Sequence, residues 1–272
     1  MAVGESMSPS DEGAVHGAAG SLPAIPDGTA ADRSPGRGSA GAGQVRPSPP
    51  LLAASIRPWA GALLAGCVIF IAVLGALFAH QTTADRFDRA VDSPVISWSG
   101  GHLGLVGWLA EPGSYLPAAA LTAVIVVACL AAGRLNGAVL GLAAVPVTVG
   151  LNDGLLKHVF HRTYLGNLVY PSGHTAAVFA LAATATVLLL VPPRPAGGGV
   201  LRVLLPAAAC VVGVVVAVAV IGLRWHYFTD TVAGAALGIG TVCGLALILD
   251  LPVPGRWLRQ PGRWRPTARR QP

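Results

Sequence analysis

Six apolar stretches, each close to the length of a bilayer crossing, dominate this chain: residues 59–78, 116–132, 135–156, 175–191, 203–223 and 229–249. A helix of about 20 apolar residues spans the hydrocarbon core. Inside lipid every backbone N–H and C=O must be paired within the protein, which leaves helices as the natural form for such runs. The first run carries no charge, and the third carries Asn152 and Asp153 near one end. The second and fourth are short and are expected to extend into polar flanks. Composition agrees: 53% of residues are hydrophobic, only 11% are charged and the mean hydropathy is +0.64. A soluble domain carries about 25% charged residues. The expected fold is all-α, a six-transmembrane-helix bundle, with abundant small residues for close helix packing.

The ends read differently. Residues 1–50 are rich in Gly, Ala, Ser and Pro with few large apolar side chains, and are expected to form a disordered segment. No short apolar stretch follows Met1, so no cleavable signal is expected and insertion relies on the first internal span. Residues 51–250 form the membrane domain, and 251–272 a basic tail. That tail holds Arg256, Arg259, Arg263, Arg265, Arg269 and Arg270, with no acid after Asp250. The positive-inside rule places it in the cytoplasm. With six spans the N-terminus joins it, and Arg134, Arg194 and Arg202 fall in inner loops. The outer side receives the region 80–115, with an apolar part "VISWSGGHLGLVGWLA" suited to lie on the leaflet, and the loops around 157–174 and 224–230. Cys67, Cys129, Cys210 and Cys243 each sit within an apolar run without a C-x-x-C pair, as small hydrophobes.

The polar residues that can carry chemistry gather at that one face, from three places. The end of the third run gives "LKHVFHRTY", with Lys157 (the single lysine of the chain), His158, His161 and Arg162. The fourth begins at "YPSGH", with Ser172, Gly173 and His174. The junction of the fifth and sixth gives "LRWHYFTD", with Arg224, His226 and Asp230. Three clusters at one membrane face point to a site more than to scattered interfacial anchors. Lysine and arginine supply positive donors, and the start of the fourth helix offers free amides and a positive dipole end. Gly173 lets a ligand approach the backbone, Pro171 shapes the turn, and Ser172 caps the helix or donates to an oxygen. A phosphate fits this set.

The histidines add reactivity. His226 and Asp230 are four apart. On a helix they share a face, so the carboxylate is expected to hold one imidazole nitrogen and free the other to attack. His174, at the anion-binding helix start, can protonate a leaving oxygen. His158 and His161 have H-x-x-H spacing but no carboxylate or cysteine to complete a metal set; they are expected to line the entrance or face solvent. Asp153, four before Lys157, is placed to pair with it. Trp225, Tyr227, Tyr164 and Tyr170 read as interfacial aromatics, and Thr229 as a cap for the last helix.

On "PSGH" followed some fifty residues later by "HYFTD", each at a helix boundary, the chain resembles the phosphatidic acid phosphatase type 2 / haloperoxidase-like superfamily, in its six-helix integral membrane branch. The resemblance covers roughly residues 80 to 245. It implies that His226 is the nucleophile, Asp230 its orienting partner and His174 the acid, while Lys157, Ser172 and the Gly173 amide hold the phosphate. Two elements depart from the family pattern. Its Lys-x6-Arg-Pro becomes Lys157 with Tyr164 seven residues on, and Arg162 followed by Thr163. Its Ser-Arg before the histidine becomes Ala219-Val220. Arg162 and Arg224 are expected to supply the missing guanidinium charge from shifted positions.

The implied activity is hydrolysis of a lipid phosphomonoester or polyprenyl pyrophosphate through a phosphohistidine, without metal or cofactor. The partner is a membrane lipid, not a nucleic acid. The alternative is a lipid-phosphate binding or flipping protein that uses the pocket without turnover.

Overall fold

The computed structural model describes residues 49–192, 194 and 198–252. The expected disordered segment and most of the basic tail lie outside the described residues. Among the described residues nine α-helices follow one another: α1 (Arg57–Phe78), α2 (Arg86–Ser99), α3 (Leu103–Ala110), α4 (Tyr115–Ala131), α5 (Leu135–Leu151), α6 (Lys157–Phe160), α7 (Gly173–Leu189), α8 (Gly199–Gly222) and α9 (Phe228–Leu249). A wide helical turn, Asn152–Leu156, joins α5 to α6. A two-stranded hairpin, β1 (Thr163–Tyr164) and β2 (Asn167–Leu168), lies between α6 and α7.

The protein is mostly helical, with helices at all six expected positions. Among the described residues four are long and apolar enough to cross a bilayer: α1, the continuous run Leu135–Phe160, α8 and α9. A fifth is formed if Leu103–Gly113 and Tyr115–Ala131, bent by 41°, count as one span. With that pair counted, the difference from the expected six lies in α7. It has 17 residues, and protein surrounds it: Thr175, Ala176, Ala177, Val178, Ala180, Leu181 and Ala182 are all buried.

The helices pack as the small residues forecast. α9 lies against α7 along Gly234 and Gly238. A side chain at Gly234 would strike the Ser172 carbonyl, and one at Gly238 the Ala176 carbonyl, so only glycine permits this approach. One hydrophobic cluster joins Leu140 and Ala144 of α5 to Ala180 of α7 and Val242 and Ala246 of α9. Outward faces carry apolar side chains instead, such as Val68, Ile69, Phe70 and Val73 of α1.

α2 is turned inside out. It buries Asp88, Asp92 and Ser99 and exposes Phe87 and Trp98. α3 packs Val106 and Ala110 onto Val216, Ala219 and Val220 of α8. At the far end of the bundle Asp250 accepts the amides of Leu51 (2.7 Å) and Leu52 (2.8 Å) and meets Arg57 at 3.5 Å. Leu51 and Leu52 are buried there, and the Ala53 amide donates to the Pro192 carbonyl.

Candidate active site

The site forms where α6, the start of α7 and the start of α9 meet. α6 stops because His161 takes a left-handed conformation (φ 49°). The chain then makes the hairpin, whose two-residue turn, Leu165-Gly166, has φ of 48° and 83°. Paired positive φ values are what a tight hairpin of this type needs, and glycine supplies the second without cost. β2 leads through Val169 to a cis Tyr170-Pro171 bond, and Ser172 then caps α7 by accepting from the Thr175 amide. Two bonds pin this stretch: the Ser172 amide donates to the Asp230 carbonyl (2.9 Å), and the Tyr170 hydroxyl to the Ile71 carbonyl (2.7 Å).

His226 lies in the loop before α9 and is buried. Its Nδ1 is 2.9 Å from the Val169 carbonyl. A carbonyl only accepts, so Nδ1 carries the proton and Nε2 keeps a free lone pair. Burial, reinforced by the charges of Lys157 and His174, lowers its pKa to about 3. The imidazole is therefore neutral, as a nucleophile must be.

Asp230 does not hold that imidazole as expected. Its Oδ2 stays 3.9 Å from Nδ1, beyond hydrogen-bond reach. His226 precedes the first residue of α9, so four-residue spacing does not put the two side chains on one helical face. The carboxylate closes back on the Tyr227 amide (2.9 Å) and binds Arg162 Nη1 (2.6 Å).

Arg162 is the second correction. It is buried, with Nη1 also donating to Thr229 Oγ1 (2.7 Å) and Nη2 to Asp88 Oδ2 (2.5 Å). Its guanidinium lies 4.4 Å from the Tyr227 ring centre and 4.7 Å from that of Phe78. Burial alone would lower its pKa, but Asp230 and Asp88 outweigh that and raise it. Both terminal nitrogens of this buried arginine are engaged by Asp230, Thr229 and Asp88, and its Nε is buried without a partner among the described residues. Thr229 likewise joins this network instead of simply capping α9, donating from its amide and hydroxyl to Asp88 (3.0 and 3.1 Å).

Lys157 and Asp153 do pair, at 2.8 Å. Asp153 also accepts from Asn152 Nδ2 (3.0 Å) and, at 3.5 Å, from the Tyr115 hydroxyl. Gly173 sits against them: a side-chain carbon there would lie 3.2 Å from Asn152 Nδ2 and 4.0 Å from Asp153 Oδ1. The His174 ring lies 5.3 Å from that of Trp225. Arg224, one residue earlier, is exposed, has a left-handed backbone (φ 58°) and makes no ion pair among the described residues. The His161 ring lies 6.0 Å from that of His80.

The structure thus joins Lys157, Gly173, His174 and His226 with their neighbours, leaves Arg224 open at the rim and removes Arg162. Three participants escaped the sequence reading. The Val169 carbonyl carries no side-chain signal at all. Asp88 and Asp92 had one: with Asp85 they recur at intervals of three and four, one face of a helix. Asp92 Oδ1 accepts the Phe228 amide (3.1 Å), so α2 caps the helix that follows His226. Burial and the nearby Asp88 charge raise the Asp92 pKa to about 7.

A multi-pass helical bundle with a histidine-bearing loop beside a capped helix start and a lysine defines the class. The family model of the PAP2 superfamily matches residues 67–251, and the chain belongs to that superfamily. Its fold is similar to the crystal structure of a transmembrane PAP2 type phosphatidylglycerolphosphate phosphatase from Bacillus subtilis. The TM-score is 0.55 at 18% identity, over 67% of this chain and 93% of that one. No curated protein matches significantly.

Proposed function

We propose that the protein is an integral membrane phosphatase that hydrolyses a lipid phosphomonoester or a polyprenyl pyrophosphate. The observation that carries this reading is the state of His226: buried, neutral, with Nδ1–H on the Val169 carbonyl and Nε2 free. In the first step Nε2 attacks phosphorus, the bond from phosphorus to the leaving oxygen breaks, and His174 protonates that oxygen. In the second, water attacks the phosphohistidine, His174 takes the water's proton, and the phosphorus–nitrogen bond breaks to release phosphate. Lys157, Ser172 and the Gly173 amide hold the phosphate oxygens, and Arg224 is the guanidinium free to join them. Asp230 acts through Tyr227 and Arg162, fixing the loop and not the imidazole.

A lipid substrate is supported by an apolar groove of about 630 Å³ between α4 and α5, lined by Tyr115, Thr122, Val126, Val145 and Pro146. It begins at the tyrosine whose hydroxyl meets Asp153, so a headgroup at Lys157 leaves its tail in the bilayer. The fold neighbour's printed substrate, phosphatidylglycerol phosphate, joins phosphatidic acid and polyprenyl pyrophosphate as candidates. Six spans, both termini cytoplasmic and an extracytoplasmic site complete the reading, on the arginine distribution. A cysteine at position 168 should then react with an impermeant label on intact cells; labelling only after lysis overturns the orientation.

Phosphate release from a panel of short-chain lipid phosphates and polyprenyl pyrophosphates tests the activity. Wild type should turn over in the presence of EDTA and His226→Ala should not. EDTA-sensitive turnover would replace the phosphohistidine route with a metal-dependent one. The second reading, a lipid-phosphate binder or flippase, is favoured by one observation: Arg162 is withdrawn from the clamp. Binding without phosphate release across the panel would establish it.

A further inference from the structure

We infer that Asp153 is a built-in competitor for the phosphate clamp: it occupies Lys157 when the site is empty and weakens the hold on a doubly charged anion, favouring phosphate release. This rests on the phosphate-site reading above.

The geometry sets Asp153 apart from the two carboxylates around Arg162. Asp88 and Asp230 are sealed around Arg162, with their side chains wholly buried. Asp153 keeps 38% of its side chain exposed and Lys157 keeps 22%. Asp153 Oδ1 sits 2.8 Å from Lys157 Nζ and 4.0 Å from the point where a side chain on Gly173 would begin. It therefore stands at the first turn of α7, where the dipole and unpaired amides favour negative charge. An anion supplied by the protein thus already holds the lysine that the substrate's phosphate is read to bind. Asn152 Nδ2 steadies it from the same turn and the Tyr115 hydroxyl from α4.

An arriving phosphate must share or take over Lys157 and lie beside a carboxylate of like sign. Two such charges about 6 Å apart in a partly hydrated site repel enough to change affinity on the order of tenfold. The penalty grows with the charge of the guest. A lipid phosphate brings binding energy from its tail, whereas free orthophosphate brings none. The carboxylate weakens both phosphates by a similar factor; the lipid offsets the loss through its tail, whereas the free product leaves more readily.

The test uses the full chain in detergent, with orthophosphate as the probe, measured both as an inhibitor of lipid-phosphate hydrolysis and directly by calorimetry. Asp153→Asn should tighten orthophosphate about tenfold, and Asp153→Glu should stay within about twofold of wild type. Asp153→Ser, which also removes the charge, is run in parallel in case the Asn variant does not fold. Unchanged or weaker orthophosphate binding in the neutral variants overturns the inference, since a carboxylate that merely props the lysine would weaken the site when lost. Lys157→Ala separates the two levels of the argument. If it abolishes orthophosphate binding while the neutral variants match wild type, only this inference falls. If wild type and Lys157→Ala alike fail to bind orthophosphate, the phosphate-site reading falls with it.

Discussion

Two cation–carboxylate sets stand at the same end of the bundle and are built on opposite terms. Around Arg162, the side chains of Asp88 and Asp230 are fully buried, and every charge is met by another from a distant part of the chain. Around Lys157, a single carboxylate one helical turn away makes the pair, and both partners reach solvent. Both positions belong to the same stretch of sequence, five residues apart, and both bear a positive charge. What separates them is desolvation. A buried guanidinium that gave up its carboxylates would leave two unpaired charges in a low-dielectric interior. An exposed ammonium exchanges partners at little cost. The first set holds the loops together and the second is free to handle a ligand.

The comparison breaks most visibly at Arg162. Arg162→Ala strands Asp88 and Asp230, and should cost about 3–5 kcal/mol of stability, read as unfolding of the detergent-solubilised protein. Were the variant to melt like wild type and lose only phosphate affinity, Arg162 would belong with the clamp after all. Lys157→Ala should behave in the reverse way, losing about a hundredfold in kcat/KM, on the order of 3 kcal/mol, while the melting temperature moves by about 2 °C or less. A large drop in melting temperature there would erase the distinction.

A subtler effect belongs to Asp92, at the margin of the buried set. Its carboxyl is raised to about 7 in the folded protein, first by burial and then by Asp88, against about 3.9 in an unfolded chain. The folded state thus holds a proton that the unfolded state has released. This contribution to stability is complete below about pH 4 and is lost as the pH rises to about 7. Asp92→Asn keeps an oxygen for the Phe228 amide and should flatten that part of the stability profile. A profile identical to wild type would show that Asp92 is ionised in the fold. The smallest change is expected on the open side: Tyr115→Phe removes a long 3.5 Å bond to an exposed carboxylate and should alter stability by less than about 0.5 kcal/mol.

The same contrast explains what could be read from the residues. Local patterns were legible: the six helix positions, the Ser172 cap before His174, and the i,i+4 pairing of Asp153 with Lys157. Each depends on neighbours within about one helical turn. The setting of Arg162 is not legible locally because its partners lie 68 and 74 residues away, and a charged side chain near a lysine looks like part of the same clamp. Asp230 was misjudged because helical spacing was carried across the start of α9. The partner of His226, a main-chain carbonyl 57 residues off, leaves no trace in composition or spacing. The apolar part of region 80–115 reads as lying on the leaflet, and nothing local shows that Asp88 and Asp92 bond the start of α9 from within.

The clasp at the opposite end has a meaning for biogenesis. The amides of Leu51 and Leu52, just ahead of the first span, find their acceptor in Asp250, just behind the last, 199 and 198 residues later. At about 5–20 residues per second, synthesis of the intervening chain takes roughly 10–40 seconds. Throughout that interval the two amides lack their acceptor, although Pro192, which takes the Ala53 amide, is made earlier. This clasp therefore closes last, at the point where the bundle was begun, and a chain cut short before Asp250 lacks the acceptor for both amides.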